Sequence, residues 1–320
     1  MSQDMTQTGA SRDTRHWAAI NEASFVAGMR LLFWVCRVFG RWPFRVLLVP
    51  VLFWYVATQG RARRVSASYL RRVGLPAGFF GVLRHFGAFA ESILDKMLLW
   101  GGLFDFSRVR VIGAEPLRQR IREGKGALLV CAHLGNLDLC RALSLRTPGL
   151  KITVLVHTRH AQAFNDMLAR LDPRSQLNLM QVTEMTPAMA MQLSERIERG
   201  EFVVIAGDRV PVASNPRVAR APFLGQVAAF PAGPYVMASV LGCPLYAMFA
   251  TRQGDGYELH FERLRETVSL PRRGREEALA ALAADYASLL ERHVRRAPLE
   301  WFNFYDFWHL PDPDPAHAAH

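Results

Sequence analysis

Lysine is nearly missing from this chain. It occurs only at positions 96, 125 and 151, although Lys and Arg together number 39. Almost all the positive charge is therefore guanidinium, which suits planar, two-pronged contact with phosphate and carboxylate. Cysteine is scarce as well. The four residues, at 36, 131, 140 and 243, show no spacing that would hold zinc, and no metal site is expected. Three lie in apolar surroundings and read as small core residues of a reduced compartment. No Gly-x-Ser-x-Gly elbow occurs, which argues against a covalent serine hydrolase. Residues 1–23 are mostly polar, without an apolar h-region or cleavage site, so no secretory leader is expected and this segment reads as flexible.

What the chain does have is apolar bulk and positive charge. Half of its 320 residues are hydrophobic and the net charge is +11. That charge suits a nucleic acid, an anionic membrane or an acidic substrate. No recognition-helix signature or RNA-binding motif accompanies it, so no nucleic-acid partner is expected. Residues 24–105 read as a helical, membrane-anchoring region. Its first part mixes Trp34, Trp42, Trp54 and Tyr55 with Arg30, Arg37, Arg41 and Arg45. Val46 to Gly60 is uncharged but, at fifteen residues, shorter than the roughly 20 a spanning helix needs. A buried helical hairpin with snorkelling Arg side chains is the competing reading. Arg61, Arg63 and Arg64 follow at once. Helices are expected over residues 62–73 and 79–100.

From about residue 106 to 310 strands and helices alternate. Strands are expected at 109–112, 127–131, 152–156, 177–182, 202–206, 245–250 and 257–263, with helices between them and a last helix at 275–296. Repeated strand–helix units imply an α/β domain with a mostly parallel central sheet flanked by helices. Residues 311–320 hold only Pro, Asp, Ala and His and read as a frayed tail.

The stretch from Ala127 to Arg141 carries the chemistry. A buried apolar strand leads to His133, and Asn136 and Asp138 follow as a helix opens. Open α/β sheets keep their sites at this carboxyl edge of the strands. With His133 in the turn and Asp138 in the first helical turn, the acid can hold one imidazole nitrogen and leave the other as a base. That is a base with its orienter and no protein nucleophile, so the natural nucleophile is a substrate hydroxyl. A His that merely caps a helix is the bland alternative. Gly207-Asp208-Arg209 ends the 202–206 strand on the same edge, with Arg209 placed for an anion and Asp208 for orienting it or a hydroxyl. Arg159 follows the 152–156 strand as another anion candidate. In the 217–234 loop, Arg217 and Arg220 suit phosphate, and Phe223-Leu224-Gly225 would let backbone approach a substrate. Trp301 to Trp308 holds six aromatics in eight residues, a core plug or a lipid-facing surface.

Taken together and in order, these pieces resemble the lipid A late acyltransferase family within the glycerolipid acyltransferase superfamily. The match runs through His133 and Asp138, Gly207-Asp208-Arg209, Pro222-Phe223-Leu224-Gly225, Ala229-Phe230-Pro231-Ala232-Gly233-Pro234 and Trp301-Phe302-Asn303-Phe304-Tyr305. The resemblance implies an enzyme at the cytoplasmic face of the bacterial inner membrane. It implies acyl transfer from acyl carrier protein or coenzyme A to a hydroxyl of a lipid acceptor, with no further cofactor. His133 would be the base and Asp138 its orienter, with Asn136, Arg159, Asp208, Arg209, Arg220, Phe223 and Gly225 on the substrates. The lipid A enzymes usually carry Glu where this chain has Asp138, and the His133–Asp138 stretch is similar to a branch associated with aryl polyene lipids. A basic protein bound to anionic membrane without catalysis, and a thioester or lipid hydrolase, are the other classes that fit.

Overall fold

The sequence folds around a strand that has no polar face. Ala127, Leu128, Leu129, Val130, Cys131 and Ala132 are all buried, because helices cover both sides of the sheet, as a parallel sheet requires. The computed structural model describes residue 31 and residues 34–144, 146–156, 178–181, 186–210 and 216–309.

Residues 34–39 are helical, and after them come α1 (Trp42–Thr58), α2 (Gly60–Arg72) and α3 (Phe79–Trp100). Strand β1 (Val109–Ile112), helix α4 (Glu115–Arg122), strand β2 (Ala127–Gly135) and helix α5 (Asp138–Ser144) follow. Next come β3 (Lys151–Val156), β4 (Asn178–Gln181), α6 (Pro187–Glu198) and β5 (Glu201–Ala206). The chain continues with β6 (Val218–Phe223), β7 (Gln226–Pro231), α7 (Gly233–Leu241), β8 (Leu245–Gln253), β9 (Gly256–Arg265) and α8 (Arg275–Arg296).

Among the described residues, seven strands form one sheet in the order β1-β9-β8-β2-β5-β3-β4. Its neighbours are parallel except β8 and β9, which form an antiparallel hairpin. The mixed, mostly parallel sheet agrees with the alternation read from the sequence. β2 splits its side chains between two cores: Leu128 and Val130 face one, Leu129 and Cys131 the other.

The expected N-terminal apolar membrane anchor is corrected by the structure. Among the described residues no helix is long and apolar enough to cross a membrane. α1 has 17 residues with Pro50 inside it, against the roughly 20 apolar residues a span requires. It packs on α3 instead: Tyr55 meets Phe86 edge-on, Phe53 meets Phe79, and Arg45 grips Glu91 at 2.6 and 3.1 Å.

Residues 217–234, expected to be a loop, contain a separate two-stranded sheet, β6 with β7. Leu224 and Gly225 join the strands with φ of 50° and 81°. Two consecutive left-handed residues make the turn type that matches strand twist. Gly supplies the second without strain, and the Leu224 N–H is held by the Glu291 carboxylate at 2.7 Å.

Candidate active site

The register of two neighbouring strands positions the site. β2 and β5 run parallel with Cys131 opposite Ala206. Two residues further along each chain, His133 and Asp208 emerge side by side. The Nδ1 of His133 lies 2.8 Å from Asp208 Oδ1, and the His133 backbone N–H donates to Asp208 Oδ2 at 2.8 Å. One carboxylate thus fixes both the backbone and the ring of the same residue.

The geometry rests on small residues at the strand ends. The Gly207 N–H and the Tyr286 hydroxyl both donate to the Cys131 carbonyl, at 2.8 and 2.7 Å. A Cβ at Gly207 would meet Val130 Cγ2 at 2.3 Å, so only glycine lets β5 turn beside β2. On the other side of β2, pairing with β8 passes from Cys131–Met248 to Gly135–Ala250. Four positions on β2 oppose two on β8, which is a bulge, and bulges re-aim side chains beside sites. Gly135 closes it at φ 68°, where a Cβ would sit 1.8 Å from the Ala250 carbonyl oxygen.

The aromatic segment after α8 seals this end of the sheet. Phe302 N–H donates to the His133 carbonyl and Gly135 N–H to the Glu300 carbonyl, both at 2.8 Å, and Leu134 bridges Trp301. Trp301 Nε1 donates to Asp208 Oδ2 at 3.0 Å. Asn303 Nδ2 and the Tyr305 hydroxyl donate to the Asp208 carbonyl at 3.0 and 3.1 Å. The expected core plug is therefore also the brace of the site.

Asp208 is fully buried, whereas the His133 side chain is 33% exposed. Burial alone would raise the carboxyl's pKa. The charge of His133, the hydrogen bonds from its ring and backbone, and the Trp301 indole outweigh burial and hold Asp208 below the usual carboxylate range. An ionised Asp208 makes Nδ1 the donor, so the neutral imidazole presents Nε2 as an acceptor. The partly exposed ring is equipped to take a proton from an incoming hydroxyl.

Sequence spacing assigned the orienting acid to Asp138. The structure gives the imidazole hydrogen bond to Asp208 and pairs Asp138 with Lys96 at 3.3 Å. Strand β2 runs on to Gly135, so His133 lies in the strand's bulge and not in a turn against α5. The buried Asn136 caps the opening of α5, its Oδ1 accepting from Asp138 N–H at 3.2 Å. Arg209 is held by Asn303 Oδ1 at 3.1 Å and the Phe302 carbonyl at 3.2 Å. Arg220 is exposed on β6. Phe223 is buried among Trp301, Phe230, Phe307 and Trp308. Gly225 serves the hairpin turn, with nothing within 4 Å of a Cβ there. Arg159 lies outside the described residues. The contact between His133 and Asp208 was missed, although part of a signal existed: two apolar strands, each followed at the same offset by a polar residue.

Among the described residues one cluster has metal-ligand chemistry. His260, Glu262 and His293 bring ligand atoms within 4.8 Å of one another. Each is already engaged: His293 bonds Glu262 at 2.6 Å and His260 bonds Glu258 at 3.0 Å. Arg292 pairs with Glu262, and Arg110 and Arg296 with Glu258. The guanidinium groups supply the positive charge that a cation would bring.

The family profile of bacterial lipid A biosynthesis acyltransferases matches residues 106–309. The chain belongs to that family. The match takes in the whole central sheet, the His133–Asp208 pair and the aromatic brace. This member is an acyltransferase that acts on lipid. Comparison with curated proteins returns no match.

Proposed function

We propose that this protein transfers an acyl chain from a thioester of acyl carrier protein or coenzyme A to a hydroxyl of a lipid acceptor, with His133 as general base. The observation that carries this reading is the partly exposed imidazole whose Nδ1 is held by the buried Asp208. His133 Nε2 takes the acceptor's hydroxyl proton as that oxygen attacks the thioester carbonyl. The tetrahedral intermediate then collapses: the carbon–sulfur bond breaks, the new ester forms, and the imidazolium returns its proton to the departing thiolate. Asp208 steadies the imidazolium while it exists.

An apolar cavity of about 240 Å³ lies under α4 and α5, lined by Leu117, Ile121, Leu129, Cys140, Leu143 and Met248 among others. α5 starts five residues after His133, so the cavity lies along the helix leading away from the base. It is assigned here to the donor's acyl chain. A lipid acceptor places the reaction at a membrane surface, and the +11 charge favours an anionic one. The cytoplasmic face of the bacterial inner membrane meets both conditions and gives access to carrier thioesters.

Lipid mass spectrometry of a deletion strain complemented with wild type or with His133→Ala tests the reading. The acylated lipid is expected to vanish in the deletion and return only with wild type. Its return with the folded His133→Ala protein would end the proposal. Thioester cleavage that proceeds equally without acceptor would make the protein a hydrolase.

A further inference from the structure

A second basic feature lies beside the site and takes no part in the chemistry above. Arg61, Arg64, Ser68 and Arg71 recur along α2 at intervals of three and four and share one helix face. They form one wall of a groove of about 470 Å³ whose other wall is Asn303, Tyr305, Asp306 and Trp308. All three arginines are exposed. Neighbouring Arg63 and Arg72 are already engaged: Arg63 donates to the Val56 carbonyl at 3.1 Å, and Arg72 lies 4.1 Å over the ring of Trp308 on the groove's far wall. Among the described residues Asp306 is the one acid lining the groove, which leaves a surplus of guanidinium charge.

The groove adjoins the dyad without containing it. Asn303 and Tyr305, on its wall, donate to the Asp208 carbonyl, and the carboxylate of the same Asp208 holds His133. A ligand here therefore has its anionic end set back from the reacting centre by the depth of the aromatic brace. Guanidinium groups in a row favour phosphate, which they can grip in two-pronged fashion. Both donor types carry a phosphate ester at the far end of a flexible pantetheine arm whose near end is the thioester sulfur. We infer that the groove between α2 and residues 303–308 binds the pantetheine phosphate of the thioester donor, through Arg61, Arg64 and Arg71. This rests on the donor class of the proposed function.

The test measures binding of 4′-phosphopantetheine and of pantetheine to the full chain by calorimetry, for wild type and Arg61→Ala/Arg64→Ala. Wild type should bind the phosphorylated compound at least about tenfold more tightly, and the double variant should lose that preference while melting at the wild-type temperature. In turnover, the variant's KM should rise about tenfold for acyl-phosphopantetheine, stay unchanged for acyl-pantetheine, and leave the acceptor's KM and kcat alone. Equal binding of the two compounds by wild type, a preference that survives in the variant, or a rise in the acceptor's KM instead would each overturn the assignment. A phosphate preference that holds while no acceptor is ever acylated keeps the groove and removes the acyltransfer reading.

Discussion

The indole N–H of Trp301 lies 3.0 Å from the Asp208 oxygen that also accepts the His133 backbone N–H. Residues far apart in the chain thus converge on one carboxylate. A buried anion needs such donors, because removing one leaves the charge poorly satisfied. Trp301→Phe keeps the ring packed against Tyr69 and Phe223 but deletes the donor. We expect a loss of about 1–3 kcal/mol in stability and a fall in kcat with little change in KM. Denaturant melts and steady-state kinetics check both, and an unchanged kcat would show that the indole only fills space.

Asp208 and Asp138 can be separated by isosteric changes. Asp208→Asn removes the charge beside His133 that the proposed mechanism uses to steady the imidazolium, and should lower kcat by about 10⁴, the scale seen when an orienting acid is neutralised. Asp138→Asn leaves the His133–Asp208 pair in place and removes a partner of Lys96, so its cost should be below about tenfold. Kinetics on both variants, with circular dichroism to confirm folding, decide the matter. The reverse ranking would return the orienting role to Asp138.

The central strands were legible because burial on both faces leaves an unbroken apolar run, and Ala127–Cys131 and Phe202–Ala206 carry one each. Their pairing was not legible. His133 and Asp208 meet only because Cys131 aligns with Ala206 in the sheet, and spacing along the chain cannot report a register 75 residues apart. The nearby Asp138 was the acid that local spacing could see. The β6–β7 hairpin was obscured by its own composition: Pro222 sits in a strand, and the turn is Leu224-Gly225 where Asn-Gly is the usual signal. α1 was read as an anchor from its tryptophans and uncharged run, whereas its length and Pro50 decide against a span.

Two glycines with positive φ should respond differently to alanine. At Gly225 the only cost is conformational, since nothing lies within 4 Å of the added Cβ. Gly225→Ala should lose about 1 kcal/mol. At Gly135 the Cβ would fall 1.8 Å from the Ala250 carbonyl oxygen, and backbone cannot yield as a flexible side chain can. Gly135→Ala should lose at least about 3 kcal/mol, or open the bulge and displace His133, with activity falling alongside. Matched urea titrations of the two variants read the contrast, and equal losses would contradict the close approach at Gly135.

The cavity proposed for the acyl chain makes a selectivity prediction. Leu143 lines it from α5 and is only partly buried, so a larger side chain there can grow inward without breaking the sheet. Leu143→Phe should shift the preferred donor to a chain shorter by a few carbons, raising the KM for the longest accepted thioester and sparing shorter ones. Competition assays with a ladder of thioesters give the profile. A uniform drop across all lengths would mean that the cavity is not where the chain lies.

The pH dependence of stability contains two opposing contributions near the site. Glu300 is buried, and desolvation, offset in part by Arg252, pushes its pKa from 4.5 up to about 7. His85 accepts from the Ser66 hydroxyl and donates to the Trp301 carbonyl, and its burial pushes its pKa down to about 4. The raised acid binds its proton in the folded state before the unfolded chain does. Its contribution is therefore present below pH 4.5 and is lost as pH rises through about 7. The depressed histidine works the other way: its contribution is lost as pH falls from 6.5 toward 4. At about 1.4 kcal/mol per pH unit the two nearly cancel between pH 4.5 and 6.5. Glu300→Gln removes one of them. The variant should exceed wild type in stability at pH 8, where the buried carboxylate is charged, by roughly 2–3 kcal/mol more than it does at pH 5. Thermal or urea denaturation of both proteins at the two pH values measures this difference, and a constant offset would mean that Glu300 keeps an ordinary pKa.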